Sequence, residues 1–133
     1  MKVKGFTLIE LMVVILIVGI LAAASVPMMK GRIDSAKWSE ANATAGTIRS
    51  AVRVYFAEYG DGTPLVGAMS DTTRQGLLGF NAADLTGTYF VPGDYNVDSV
   101  DGNGNATVTV TASQTNAPAA GTSKTLSSTG SWN

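Results

Sequence analysis

The stretch Gly5–Pro27, GFTLIELMVVILIVGILAAASVP, places a single glutamate, Glu10, at the leading edge of an apolar run. Between Glu10 and Lys30 lie nineteen residues without a charge. About 20 apolar residues cross a bilayer as a helix, so residues 8–29 read as one membrane-length segment. Gly19 and Pro27 sit inside it; both are tolerated in membrane helices, and Pro27 reads as a bend rather than an end.

The helical pattern continues beyond the apolar run. Ala41, Ala45, Ile48, Val52, Tyr55 and Tyr59 recur at alternating spacings of four and three, one stripe on a helix. Glu40, Arg49, Arg53 and Glu58 fall on the opposite face, and Gly60 followed by Asp61-Gly62 supplies a stop. Residues 6–59 therefore read as one long helix, apolar in its first half and amphipathic in its second. At 1.5 Å per residue that is roughly 80 Å, too long for a small globular domain alone. Residues 1–5, MKVKG, form a short basic leader.

From Gly60 onward the chain turns polar, with eleven of the fifteen glycines. Residues 60–133 read as a small β-rich head. Tyr95–Val100 and Ala106–Ala112 alternate in character around the turn formers of DGNGN, predicting an antiparallel hairpin. Residues 114–131 are open between loop, edge strand and mobile surface. The fold class expected is α+β, a long N-terminal helix packed on a small antiparallel sheet.

Composition excludes much. Histidine and cysteine are absent, which removes the usual zinc sites, Cys or His nucleophiles and disulfides together. A formal net charge of −1 gives no basis for a nucleic-acid partner. No catalytic constellation emerges, and the chain reads as a non-enzyme.

Glu10 decides between readings of the N-terminus. A secretory signal peptide explains the basic start, the apolar core and the small residues Ala22–Ser25, with cleavage after Ala24. It has no use for Glu10, and it discards a segment that the following helix continues. A plain membrane anchor leaves Glu10 equally unexplained. A carboxylate in a spanning helix costs about 2.5–3.5 kcal/mol near the centre and less near the edge, so it is normally paired. No lysine or arginine follows it by three or four residues. A cut after Gly5 creates a cation close by, the α-amino group of Phe6.

The run KGFTLIELMVVILIVGILAAASVP resembles the N-terminal signature of type IV pilins and of the pseudopilins of type II secretion systems. The likeness is close over residues 1–30 and looser to Tyr59; residues 60–133 match only the general plan of the family. The resemblance implies that a prepilin peptidase cuts between Gly5 and Phe6 and methylates the Phe6 amine. Glu10 then pairs with the Phe6 amine of an adjacent subunit, a matching of charges that sets register more than it supplies holding force. Leu8–Val26 would pack helix on helix in a homo-oligomeric helical filament, and Gly19 and Pro27 would allow local bending during extraction from the bilayer. The implied partners are other copies of the chain, the peptidase and an inner-membrane assembly platform. The implied locations are the bacterial inner membrane for the precursor, with Lys2 and Lys4 cytoplasmic and the head periplasmic. Assembly then leads to an extracellular pilus or a periplasmic pseudopilus. Glu10 favours a major subunit over a tip-initiating one. The lack of a cysteine pair departs from many pilins and favours the pseudopilin or a shorter-headed pilin.

Asp98 and Asp101 are the candidate calcium ligands of the head. Asp101, Asn103 and Asn105 alternate like the first ligands of an EF-hand loop, but Ala106 stands where glycine is needed and Ala112 where a carboxylate is needed. A hairpin turn explains the same residues without metal, so no metal or other cofactor is assigned. A rival of a different class stays open, a membrane-tethered or secreted binding module with a calcium-stabilised β head. The aromatic residues Trp38, Tyr55, Phe56 and Tyr59 read as packing, and Trp132 as a wedge holding the C-terminus to the head.

Overall fold

The computed structural model describes every residue except Lys2 and Val3, so Lys2 of the expected leader lies outside the described residues. The α+β expectation holds: a helix, α1 (Leu8–Tyr59), accompanies a four-stranded antiparallel sheet. The chain divides into two compact units, residues 1–33 and 34–133.

The first unit is the apolar part of α1. The large apolar side chains of the helix there are all exposed, from Leu8 at 76% to Ile33 at 46%. Helix continues through Pro27, although proline has no N–H for the carbonyl four residues back. Just before it, the Ser25 hydroxyl donates to the Leu21 carbonyl at 2.8 Å.

In the second unit α1 buries Trp38, Ala41, Ala45, Ile48 and Val52. The expected stripe is thus displaced by one turn towards the N-terminus. Tyr55 is only half-buried and Tyr59 is 62% exposed, their rings stacked on each other at 4.4 Å. The small residues Ala41 and Ala45 leave room for bulk from the other layer, supplied by Phe90 and Tyr95, both fully buried. The sheet runs in order β1 (Gly67–Ala68), β2 (Tyr95–Val100), β3 (Ala106–Thr111), β4 (Ser123–Leu126). Its inner face is Tyr95, Val97, Ala106, Val108, Val110 and Leu126. Alternation at period two turns Asn96, Thr107 and Thr109 outward.

The hairpin forms in the expected place, with Tyr95 opposite Val110 and a register shift between Val97 and Ser99. At its turn Gly104 adopts φ +77°, and a Cβ there would lie 2.8 Å from the Phe56 ring. Residues 114–131 contain the edge strand β4, which settles the open choice. Beyond it Leu126 pairs with Trp132, and Thr125 and Asn133 exchange backbone hydrogen bonds. Trp132 meets Trp38 edge-on at 6.0 Å, the expected wedge.

The face of α1 opposite the stripe is largely engaged. Glu40 accepts the backbone N–H groups of Thr88, Tyr89 and Phe90 at 3.1, 2.9 and 3.2 Å. Arg49 donates to the Ser128 carbonyl and Arg53 to the Asn105 side-chain oxygen. Helical periodicity separates polar from apolar residues, but it does not show that a loop will come to the polar side. A short helix, α2 (Thr72–Leu77), was also unforeseen. Its signal was present: Asp71 caps it, accepting the Thr73 N–H at 2.8 Å, and Gly79 follows it at φ +75°.

Candidate assembly site

Gly5 and Phe6 precede the helix in irregular backbone, and both are exposed. The helix begins at Leu8 because Thr7 caps it. The Thr7 hydroxyl oxygen accepts the Glu10 N–H at 3.3 Å. In return, Glu10 Oε2 accepts the Thr7 N–H at 2.8 Å and the Thr7 hydroxyl at 2.7 Å. Two orphan donors of the first turn are thereby satisfied reciprocally. Thr7 is the residue that sequence reasoning missed, although Thr-x-x-Glu before an apolar run is the signature of a capping box.

Glu10 thus has a partial answer within its own chain. Oε2 is occupied by Thr7, while Oε1 accepts no hydrogen bond among the described residues. With Lys4, Gly5 and Phe6 it lines a shallow cleft at the helix start, and Phe6, Ile9, Val13 and Val14 border it on the other side. The structure brings Gly5, Phe6 and Glu10 together and leaves Gly19 and Pro27 further along the same helix. A Cβ added to Gly19 would meet nothing within 4 Å, so this glycine leaves an indentation on an exposed face. Such indentations let helices approach closely in an apolar medium.

Asp98 and Asp101 line one surface cleft but are held by different partners. Asp98, at the register shift of β2, accepts from Thr109 Oγ1 and Asn96 Nδ2 at 2.6 Å each. Asp101 Oδ1 accepts the backbone N–H groups of Asn105 and Asn103 at 2.8 and 2.9 Å, closing the turn. These bonds, with Asn105 contributing most, hold its carboxyl below the usual range. Asp61 lines the same surface cleft and accepts the Thr63 N–H at 2.8 Å. Among the described residues no group of three or more Asp or Glu is arranged to hold a metal ion.

Residues 1–26 match a family described as the prokaryotic N-terminal methylation motif. A fimbrial protein of Neisseria meningitidis serogroup A is 39% identical over 114 residues, covering 85% of this chain and 58% of that protein. The chain is similar to pilus and fimbrial proteins. The type IV narrow pilus major component PilA5 of Thermus thermophilus is 48% identical over 54 residues, 41% of this chain and 47% of PilA5. The type IV major pilin protein PilE1 of Neisseria gonorrhoeae is 51% identical over 57 residues, 43% of this chain and 34% of PilE1. The matched stretches span less than two thirds of these relatives' own lengths.

Proposed function

We propose that this chain is a type IV pilin, a structural, non-enzymatic subunit of a type IV pilus that polymerises through α1 after its leader is removed. The observation that carries the reading is Glu10, one turn into a helix whose apolar first half is uncovered, with one carboxylate oxygen accepting no hydrogen bond among the described residues. Removal of residues 1–5 creates the Phe6 ammonium next to that cleft. In an apolar surrounding each charge is costly alone, and the pair is satisfied only when two subunits adopt one axial register. Burial of the side chains between Leu8 and Val26 against neighbouring helices supplies the holding force. Extracting such a segment from lipid gains little from hydrophobicity itself, so close packing at Gly19 and the small residues Ala22–Ala24 carries more weight.

The sequence of events follows from this chemistry. The precursor sits in the inner membrane with its leader cytoplasmic. A prepilin peptidase cuts between Gly5 and Phe6 and methylates the new amine. An inner-membrane platform then adds the subunit to a growing homopolymer that extends outside the cell. The relatives, named as pilus and fimbrial proteins, favour a pilus over a secretion pseudopilus.

The deciding measurement is the intact mass and first residue of the mature protein from its native host. A chain beginning at methylated Phe6 supports the reading; a chain beginning at Ser25 overturns it. The role of Glu10 is tested separately. E10A should be cleaved normally and yield few filaments, and normal filaments from that variant would remove the charge-pairing step.

A further inference from the structure

At the C-terminal end of α1 a groove of mixed polar and apolar lining is left open. Ala51, Val54, Tyr55, Glu58, Tyr59 and Leu77 line it, with Val54, Tyr59 and Leu77 exposed at 68, 62 and 41%. The stacked rings of Tyr55 and Tyr59 form one wall, and Glu58 lies beside them. Stacked aromatic rings with an adjacent carboxylate suit a cationic side chain, held by ring quadrupole and charge together.

The unit containing this groove has no cation to spare. Residues 34–133 hold nine Asp and Glu against five Lys and Arg. Lys37 donates to the Asn116 carbonyl and lies over the Tyr89 ring. Arg49 and Arg53 are tied to Ser128 and Asn105. Arg74 pairs with Asp71, and Lys124 covers the Trp132 ring. Glu58 makes no ion pair among the described residues, nor do Lys30 and Arg32, the remaining cations once a leader is removed. Helical spacing puts Met29, Arg32 and Ile33 on one face. Met29 and Ile33 are 63 and 46% exposed, so this face is an apolar strip carrying a guanidinium.

We propose that the strip Met29–Ile33 of a second copy of this chain seats in the groove, with Arg32 on Glu58 and the tyrosine pair and with Met29 and Ile33 against Val54 and Leu77. This deepens the pilus reading and rests on it. Residue 32 of one subunit stands beside residue 58 of another, so the contact fixes a long stagger between parallel copies of α1. It is a different register from the one that Phe6 and Glu10 set.

The test uses full-length protein in its native host, scored by sheared filaments and by total subunit. R32E and E58R should each reduce filaments several-fold at unchanged subunit level, and the swapped pair R32E/E58R should restore them. The natural chain has no cysteine, so R32C/E58C reports the contact directly. Oxidised filaments should run as a reducible ladder, and neither single variant should. A pair swap that restores nothing, as expected if Arg32 instead meets lipid phosphate, overturns the contact, as does the lack of a ladder. Either result leaves the pilus reading standing. Wild-type chains that make no filament remove the pilus reading and this contact with it.

Discussion

Glu40 Oε1 accepts the Tyr89 N–H at 2.9 Å, from a residue 49 positions later in the chain. The same carboxylate takes the N–H groups of Thr88 and Phe90, so one side chain on α1 satisfies three donors of the loop before β2. The loop has been built around it. A Cβ on Gly87 would lie 2.1 Å from Glu40 Oε1, and Asn116 Nδ2 ties the adjacent Thr88 carbonyl to the C-terminal loop at 2.8 Å.

Replacing Glu40 with alanine strands those donors, and each buried unsatisfied group costs about 1–3 kcal/mol. Part of the site is wet, so the expected loss for E40A is about 2 kcal/mol in total, while E40Q keeps an acceptor and loses less. Urea unfolding of the full chain in detergent, followed by Trp fluorescence, measures this. A loss in E40A no larger than in a surface control would show that water replaces the carboxylate.

Tyr95 gives a pH dependence with a definite sign. Burial pushes its phenol up to about 12, with the charges of Glu40 and Asp94 adding to the rise and the Thr44 side chain opposing it. The hydroxyl is buried without a well-aligned hydrogen-bond partner. Below pH 10 the phenol is protonated in both folded and unfolded chains, and its contribution is complete. Between pH 10 and about 12 the unfolded chain releases its proton first, so stability falls as pH rises, by on the order of 2–3 kcal/mol. Y95F removes a group that cannot ionise inside, so it should flatten this alkaline slope at little cost near neutrality. An unchanged slope in Y95F would assign the slope to another group.

The hairpin turn makes an opposite, acidic prediction. Asp101 is held below its ordinary range by the N–H and side chain of Asn105 and by the Asn103 N–H. Its bonds are therefore complete above the normal carboxylate pKa and are lost as pH falls through the lowered one. Protection of the Asn103 and Asn105 amides, relative to their intrinsic exchange rate at each pH, should fall on acidification before protection in β3 does. The turn also depends on Gly104, where positive φ and the Phe56 ring both exclude a side chain. G104A should destabilise the head by about 1–3 kcal/mol, and F56A/G104A should recover only the steric part of the loss.

Much of this was legible in the sequence, and the residues show why. Periodicities carried α1, β2 and β3, because Ile48–Val52 and Val108–Val110 repeat at the spacing of the element that buries them. The DGNGN turn was readable because each residue satisfies its own neighbours. The short β1 was not, since two residues hold no pattern and only β2 makes them a strand. Residues 114–131 gave no decision because Ser, Thr and Gly suit loop and edge strand alike; β4 exists through its pairing with β3. The bonds of Glu40 were not legible for a related reason, as its partners lie far away in sequence. At the assembly site, Gly5, Phe6 and Glu10 stood out through a charge in an apolar run. Thr7 was passed over because a hydroxyl carries no such contrast.

Thr7 supplies the last prediction. Its hydroxyl and N–H hold Glu10 Oε2 while its oxygen caps the Glu10 N–H, so it defines where α1 starts relative to the Gly5–Phe6 bond. T7A removes the cap and one donor to the carboxylate together, whereas T7S preserves both. In the full chain in micelles, T7A should speed amide exchange at Leu8, Ile9 and Glu10, with the rest of α1 unaffected, and T7S should match the wild type. Equal protection in all three would mean that the helix start is set by the micelle rather than by the capping box. Glu10 would then reach a neighbouring subunit without first releasing Thr7.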